Sequence, residues 1–268
     1  MNSDRPVYTL GIDIGSTTSK CVILRDGEEI VAQALEVAGI GTSGAGRTVE
    51  AVLATAGLTR EEIAASVVTG YGRKNFGEGA ASVSELSCHA LGAHMVFPEV
   101  RTIIDIGGQD AKVIALNERG VMENFVMNDK CAAGTGRFLD VMAGLLKLDI
   151  SQLEVQAAAA TAPVSISSTC TVFAESEVIS QLSGGATIPD VVAGICNSVA
   201  SRVCGLARRL GVREQVCMSG GVALNNGVRS AIARDLGVEV RYDAKAQMFG
   251  AMGAALHAYR KYLSNHSN

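Results

Sequence analysis

The sequence contains no tryptophan, and aromatic residues of all kinds make up 4% of it. Alanine, glycine and valine are abundant instead, which favours an α/β core in which small side chains pack closely. Basic residues form no cluster, and the net charge of −4 argues against nucleic acid and an anionic membrane surface as partners. The first residues form no apolar signal region and no apolar run approaches bilayer length, so we expect a soluble, cytoplasmic protein that binds no membrane.

A disulfide framework is also not expected. The chain has seven cysteines, an odd number, and without a secretory signal such residues are more often free thiols or metal ligands than disulfide partners. At 268 residues the chain is long enough for two modest domains with a cleft between them. The question is then which of the cysteines are ligands.

One stretch of the sequence occurs twice. The residues from Gly11 to Lys20 read G-I-D-I-G-S-T-T-S-K, and those from Ile103 to Lys112 read I-I-D-I-G-G-Q-D-A-K. At one constant offset, Asp13 corresponds to Asp105, Gly15 to Gly107 and Lys20 to Lys112. The chain is therefore predicted to be a duplication, with halves at 1–100 and 101–268.

Each copy of the repeat is followed by two further apolar runs separated by turns, which predicts a strand–turn–strand–turn–strand meander. A P-loop or a dinucleotide-binding motif would have a helix directly after its glycines, so any phosphate-binding turn here belongs to a β-hairpin. Glycine amides and the hydroxyls of Ser16, Thr17 and Thr18 suit phosphate oxygens, and a carboxylate from each copy suits a hydrated Mg²⁺ ion. The alternative is two ordinary hairpins, which would explain a glycine but not the repeated Asp-Ile-Gly…Lys pattern.

The remaining elements follow from periodicity and from residues that stop helices. We predict the following elements: helices at Thr48–Ala56, Thr59–Ala65, Ser87–Phe97, Phe138–Leu146, Pro189–Leu210 and Gln247–Tyr262, and strands at Ser66–Thr69 and Val238–Tyr242. The pair Cys88-His89 has no spaced companions, which favours packing for Cys88 and a surface position for His89 over a metal site.

Two cysteines differ from the others in their flanking residues. Cys131 lies in N-D-K-C-A-A-G-T-G-R-F and Cys170 in T-C-T-V-F-A-E-S-E, where Thr169 or Thr171 could cap a helix. A helix N-terminus stabilises a thiolate, so the pair could be reactive thiols. It could instead supply half of the ligands of an iron–sulfur cluster that a two-fold dimer completes, or merely pack. Packing is the interpretation we give to Cys21, Cys196, Cys204 and Cys217.

A third glycine turn follows a strand near the end of the chain, in V-C-M-S-G-G-V-A-L-N-N. Gly220 and Gly221 would let a flat base and a ribose pass close to the backbone. This signal is weak alone and gains weight beside the two hairpins.

Taken together, D-I-G-S-T, D-I-G-G-Q-D and S-G-G-V-A-L-N resemble the motifs of the actin, Hsp70 and sugar-kinase superfamily. Within it, N-D-K-C-A-A-G-T-G-R-F and S-S-T-C-T-V-F-A-E-S-E-V-I-S resemble the signatures of the activators, or component A, of 2-hydroxyacyl-CoA dehydratases, a BadF/BadG/BcrA/BcrD type of ATPase. The resemblance implies an α/β fold, the duplicated actin-like (ribonuclease H-like) ATPase fold, with two mixed-sheet domains around a nucleotide cleft. The first half would be closed by the C-terminal helix.

The resemblance further implies a homodimer that holds one 4Fe-4S cluster by Cys131 and Cys170 of both subunits. A ferredoxin or flavodoxin would reduce this cluster, and one electron would pass to a 2-hydroxyacyl-CoA dehydratase at the expense of ATP hydrolysis. Asp13 and Asp105 would bind Mg²⁺, and Gln109 would orient the attacking water. The phosphates of ATP or ADP would contact Gly15, Ser16, Thr17, Thr18, Ser19, Lys20, Gly107, Gly108, Gln109 and Asp110, and the adenosine would contact Gly220, Gly221, Asn225 and Gln247.

Two other functions share such an ATP site. A small-molecule kinase needs an acceptor pocket and a general base, usually on an inserted domain, and the segments between these motifs are short. A cytoskeletal or chaperone-like ATPase would need a filament interface or a peptide-binding domain, and the sequence shows neither.

Overall fold

The computed structural model describes residues 5–77, 80–167 and 170–266. Within them the strands are β1 Tyr8–Ile14, β2 Ser19–Arg25, β3 Glu29–Glu36, β4 Ile63–Thr69, β5 Ala81–Ser82, β6 Thr102–Ile106, β7 Ala111–Leu116, β8 Met122–Asn128, β9 Val216–Ser219 and β10 Val240–Arg241. The helices are α1 Gly44–Ala56, α2 Glu85–Val96, α3 Gly136–Leu146, α4 Gln152–Ala158, α5 Thr171–Ser183, α6 Ile188–Leu210, α7 Asn226–Leu236 and α8 Phe249–His266.

The chain forms two compact units. The first runs to Pro98 and also contains Arg119–Met122 and the chain from Met248 onward, and the second contains Glu99–Glu118 and Glu123–Gln247. Helix α8 thus belongs to the first unit, although the numerical range 101–268 places it in the second half.

The first unit is built on a five-stranded mixed sheet in the order β3-β2-β1-β4-β5. Strand β1 pairs antiparallel with β2 and parallel with β4. Small residues let α8 pack closely against the other elements of this unit. A Cβ atom on Gly253 of α8 would lie 1.8 Å from the carbonyl oxygen of Cys88 in α2. The abundance of glycine and alanine is therefore explained by close helix packing.

The second unit repeats this topology with the order β10-β9-β6-β7-β8. Strand β6 pairs antiparallel with β7 and parallel with β9, as β1 does with β2 and β4. Both β6 and β7 are buried along their whole length, as their runs of isoleucine and valine require. The two equivalent mixed sheets confirm the duplicated α/β architecture.

Several boundaries differ from the prediction. The prediction of a helix at Thr59–Ala65 is wrong. Only a 3₁₀ turn, Arg60–Glu62, forms there, and the Glu62 side chain accepts a hydrogen bond from the Thr59 amide. Strand β4 begins directly after it at Ile63, three residues before the predicted start, because pairing with β1 outweighs local helix propensity. Helix α4 was not predicted, and a 3₁₀ turn at Ala246–Met248 precedes α8.

Helix α6 is long and apolar enough to cross a membrane by length and composition, with a mean hydropathy of 1.2 over its best window. The sequence prediction that no such segment exists is therefore too strict. In the structure 78% of that window is buried inside the protein, as is typical of a core helix.

Candidate functional site

The first hairpin joins β1 to β2 and carries one buried ion pair. Asp13 and Lys20 face each other in the strand register, and Lys20 Nζ lies 3.0 Å from Asp13 Oδ2. The Gly15 amide donates to the Thr18 carbonyl oxygen at 2.9 Å, which closes the turn. Thr17 is exposed in this turn, and Ser16 and Thr18 are half-buried. Phosphate oxygens could therefore reach this turn from solvent.

Ser19, which we predicted to face the phosphates, is fully buried. Its hydroxyl donates to the carbonyl oxygen of Ala38 at 2.6 Å. In this structure the hydroxyl thus serves to hold the segment after β3 against the first hairpin.

The second hairpin joins β6 to β7 with the same geometry. Lys112 Nζ lies 3.1 Å from Asp105 Oδ2, and the Gly107 amide donates to the Asp110 carbonyl oxygen at 2.9 Å. One difference concerns the lysine, because Lys112 also pairs with Asp110 Oδ2 at 2.8 Å. Gly108 is half-buried and Gln109 is exposed at the tip of this turn. The repeated pairs are a direct structural result of the repeated sequence.

In each sheet a glycine follows the strand that pairs parallel with the central strand, and this glycine lies close to the buried aspartate. A Cβ atom on Gly70 would lie 2.4 Å from Asp13 Oδ1, and one on Gly220 would lie 3.0 Å from Asp105 Oδ1. Both glycines have a positive φ, +86° and +83°, so a side chain is excluded by space and by conformation. Sequence analysis missed Gly70 as a site residue, although T-G-Y-G at the end of β4 parallels S-G-G-V at the end of β9.

His89 lies beside the first aspartate. A Cβ atom on Gly250 would be 2.7 Å from Asp13 Oδ2 and 2.8 Å from His89 Nε2. The prediction that His89 is a surface residue is wrong: it is buried, because α2 packs against α8 on this side.

The four residues predicted to bind adenosine lie in the second unit. Gly221 is close to Gln247, since a Cβ on Gly221 would lie 3.3 Å from Gln247 Nε2. The Gly220 amide donates to the Ala246 carbonyl oxygen at 3.2 Å. Asn225 caps α7, because its Oδ1 accepts a hydrogen bond from the Val228 amide at 3.0 Å. The structure thus brings both glycines and Gln247 together and gives Asn225 a capping role at the same turn.

The seven cysteines fall into two groups, and all are free thiols. Cys21, Cys88, Cys196, Cys204 and Cys217 are buried, whereas Cys131 and Cys170 are half-buried. Burial raises the pKa of Cys88, Cys196 and Cys204 to about 12 and also raises the pKa of Cys21 and Cys217. These five are therefore neutral packing residues at physiological pH.

This division leads to a chemical prediction for the metal-free protein. We expect iodoacetamide at pH 8 to modify Cys131 and Cys170 first, while the five buried cysteines react only after denaturation. Even at pH 9, a thiol with a pKa of about 12 is thiolate in only about one molecule in a thousand. Peptide mass spectrometry measures the order of modification, and early labelling of Cys196 or Cys204 would contradict it.

Cys131 and Cys170 are the two cysteines that we predicted to be ligands of a cluster. Among residues 5–77, 80–167 and 170–266 no group of three or more His, Cys, Asp or Glu side chains could hold a metal ion. A 4Fe-4S cluster takes four cysteine ligands, and this chain offers two accessible thiols. One chain therefore supplies half of the cysteine ligands that such a cluster needs.

The helix termini near these cysteines differ from the prediction. Cys170 itself occupies the N-cap position of α5, so Thr171 is not the cap, and Thr169 lies outside the described residues. Cys131 lies four residues before Thr135, the N-cap of α3. The prediction placed each of the two cysteines at or just before a helix N-terminus, and Cys131 lies before one without reaching it.

The first amides of α3 are occupied by the second hairpin. The Gly136 amide donates to the Gly107 carbonyl oxygen at 2.9 Å, and the Arg137 amide donates to the Gly108 carbonyl oxygen at 2.8 Å. These amides are not available to a ligand at Cys131. They join the predicted phosphate-binding turn directly to the segment that carries Cys131, a link that no sequence pattern indicated.

Known proteins resemble this chain over nearly its whole length. The chain is 58% identical over 257 residues to the (R)-2-hydroxyglutaryl-CoA dehydratase activating ATPase of Acidaminococcus fermentans, covering 95% of this chain and 98% of that protein. It is 55% identical over 253 residues to the 2-hydroxyisocaproyl-CoA dehydratase activator of Clostridioides difficile, covering 94% and 95%.

A solved structure agrees with these sequence relatives. The activator of the 2-hydroxyisocaproyl-CoA dehydratase from Clostridium difficile, with bound ADPNP, superposes with a TM-score of 0.94 and 53% identity, covering 97% of both chains. Such neighbours confirm the predicted actin-like ATPase fold. The model of the BadF/BadG/BcrA/BcrD ATPase family matches residues 10–258, and the chain is an ATPase that belongs to this family.

Proposed function

We propose that this protein is the ATP-dependent activator of a 2-hydroxyacyl-CoA dehydratase. In this function a homodimer accepts one low-potential electron from a ferredoxin or flavodoxin and passes it to the dehydratase as ATP is hydrolysed. The observation that carries the proposal is the pair Cys131 and Cys170, the two half-buried thiols among seven, in a chain more than half identical to two dehydratase activators. A cytoplasmic location follows from these partners.

A 4Fe-4S cluster bound by these cysteines would supply a one-electron carrier at low potential. Cys131 and Cys170 of one chain provide two of its thiolates, and an isologous interface provides the same two from a second chain. Because Cys131 and Cys170 are half-buried, electron donors and acceptors could reach a cluster bound there, and so could oxygen. We therefore expect the bound cluster to be sensitive to air.

The surface next to Cys170 supports a protein partner. Helix α5 exposes Val172, Phe173 and Ile179, all within its first nine residues, to 67%, 63% and 52%. These side chains lie on one side of the helix that begins at Cys170, while Ala174 and Val178 are buried on the other. Large exposed apolar side chains in one group are typical of protein interfaces.

For ATP, we propose that the two hairpins bind the phosphates and that Asp13 and Asp105 orient a hydrated Mg²⁺ ion. Each carboxylate already pairs with a buried lysine, so contact with the ion through water molecules suits it better than direct ligation. Gln109 is exposed at its turn and is the residue that we assign to the attacking water. Gly221 and Gln247 would contact the adenosine.

The test of this function is a metal and mass analysis of anaerobically purified protein. We expect about four iron and four sulfide per dimer, and electron transfer to a dehydratase only when ATP is present. About four iron per monomer would contradict the shared site. Iron-free protein that phosphorylates a small molecule would favour the kinase.

We also expect the nucleotide to change the reduction potential of the protein. The amides of Gly136 and Arg137 hold α3 to the second hairpin, so a γ-phosphate that shifts Gly107 and Gly108 also shifts the segment with Cys131. If ATP and ADP differ by ~100-fold in their preference for the two redox states, the shift is ~2.8 kcal/mol, or about 120 mV.

The measurement is a redox titration without nucleotide, with ADP and with a non-hydrolysable ATP analogue. Dehydratase binding is measured in each state. Equal potentials and equal affinities across the three conditions would show that the nucleotide does not act through the conformation of this segment.

A further inference from the structure

One face of α6 contacts both cysteine-bearing segments. Ser198 Oγ donates to the Ser167 carbonyl oxygen at 3.1 Å, three residues before Cys170. One turn later, Arg202 lies against Gly134, three residues after Cys131. Residues four apart project from the same side of a helix, so a single helical face supports both segments.

The contact between Arg202 and Gly134 involves the aliphatic part of the arginine. A Cβ atom on Gly134 would lie 2.8 Å from Arg202 Cγ and 3.0 Å from Arg202 Cβ. Gly134 is buried and has a φ of +84°, so the loop after Cys131 can approach α6 only with glycine at this position. The stem of Arg202 thereby fixes the path of the loop.

Arg202 and Arg208 lie on the same helix but differ in whether their side chains are paired with a carboxylate. Arg208 pairs with Asp235 at 3.0 Å, whereas the side chain of Arg202, a half-buried residue, has no hydrogen bond or ion pair to any of the residues that the structure describes. Withdrawing a permanent positive charge from water without a negative partner is unfavourable. The position therefore suits an anion bound between the two segments, and Cys131 and Cys170 each lie three residues from the contacts of these segments with α6.

We propose that Arg202 is a positioning residue for the cysteine pair and that its charge offsets the negative charge of the bound cluster. This inference rests on the proposed function. Four thiolates outweigh the positive charge of the iron–sulfur core, and reduction adds one more negative charge. A fixed cation nearby therefore stabilises the reduced state more than the oxidised state. In a two-fold dimer each chain contributes one such arginine.

The experiment compares Arg202→Gln, Arg202→Lys and Arg209→Gln in anaerobically prepared dimers by redox titration monitored by EPR. Arg202→Gln keeps much of the stem and removes the charge. In the dimer this substitution removes two charges around one cluster, one from each chain. Each charge at ~12 Å with an effective dielectric constant of ~20 contributes about tenfold, so we expect the ratio of reduced to oxidised protein at a fixed potential to fall about a hundredfold. A hundredfold change corresponds to about 118 mV for one electron.

Arg209→Gln is the matched control, because it removes the same charge from an exposed position roughly 10 Å further along the helix. The reduction potential of Arg209→Gln should stay close to that of the unchanged protein. The potential of Arg202→Lys should lie between those of the unchanged protein and Arg202→Gln. If Arg202→Gln loses iron, the comparison rests on Arg202→Lys, which must keep the cluster.

Three results would overturn the proposal: an unchanged potential in Arg202→Gln, equal shifts in Arg202→Gln and Arg209→Gln, or loss of iron in both Arg202 variants. Each of these leaves the proposed function intact. Absence of a cluster from the unchanged protein would instead contradict the proposed function itself, so the two failures are distinguishable.

Discussion

Cys131→Ala and Cys170→Ala should each abolish iron binding completely. A two-fold site loses two of its four ligands with every single substitution, because the change occurs in both chains. The remaining pair of thiolates cannot saturate a 4Fe-4S cluster, and both the brown colour and the EPR signal of the reduced protein should disappear. Iron and sulfide analysis after anaerobic purification gives the quantitative result.

The buried cysteines of α6 provide matched controls. Cys196→Ala and Cys204→Ala remove a thiol from the same unit, but these side chains are buried with a pKa of about 12 and only pack. Both variants should retain the full iron content and lose about 1 kcal/mol of stability for the small volume removed. A cluster that survives in Cys131→Ala or Cys170→Ala would refute the ligand assignment.

Asp105→Asn should reduce the ATP turnover roughly 100-fold while the iron content stays normal. The substitution removes the charge that we assign to the hydrated Mg²⁺ ion and leaves the shape of the side chain almost unchanged, and lost electrostatic contacts of this kind cost about 10²–10³ in rate. Its fold should tolerate the change, because Lys112 keeps its ion pair with Asp110 at 2.8 Å. Phosphate release at saturating Mg·ATP measures the effect.

The equivalent change in the first hairpin should lower both the ATP turnover and the stability of the protein. Asp13→Asn should reduce turnover similarly, but it removes the carboxylate that pairs with the buried Lys20, and breaking such a pair costs about 3–5 kcal/mol. We therefore expect a clearly lower melting temperature for Asp13→Asn than for Asp105→Asn. Asp129→Asn, whose partner Lys130 is exposed, is the control. Normal turnover in Asp105→Asn would refute the two-hairpin site.

The repeated features of this protein were predictable from sequence because they depend on local patterns. Apolar runs that end in Asp-Ile-Gly and return through a lysine specify a hairpin, and in a hairpin the register brings that aspartate opposite that lysine. The separation of Cys131 and Cys170 from the packing cysteines followed from polar flanking residues. Both predictions needed only neighbours in the chain.

The features that sequence analysis missed depend on contacts between distant segments. The strand character of Ile63 is set by β1, the burial of His89 by α8, and the capping of α3 by carbonyl groups of the second hairpin. Backbone carbonyls carry no residue identity, so a cap made from Gly107 and Gly108 leaves no signature in the sequence around Thr135. Arg202 was missed for the same reason, because its significance lies in what α6 touches.

The position of α8 constrains the order in which the protein can fold during synthesis. The carbonyl oxygen of Ala251 and the amide of Ala255 approach Gly11 in β1 so closely that the strand and the helix leave no space for a side chain between them. The ribosome delivers α8 only after the whole second unit has emerged, so the sheet that is synthesised first lacks its covering helix until then. The unit that carries both cysteines can be complete while the unit that precedes it still exposes an apolar face. Factors that protect nascent chains would therefore act on the sheet formed by β1 to β5, and the cysteine-bearing unit could acquire its fold before its neighbour.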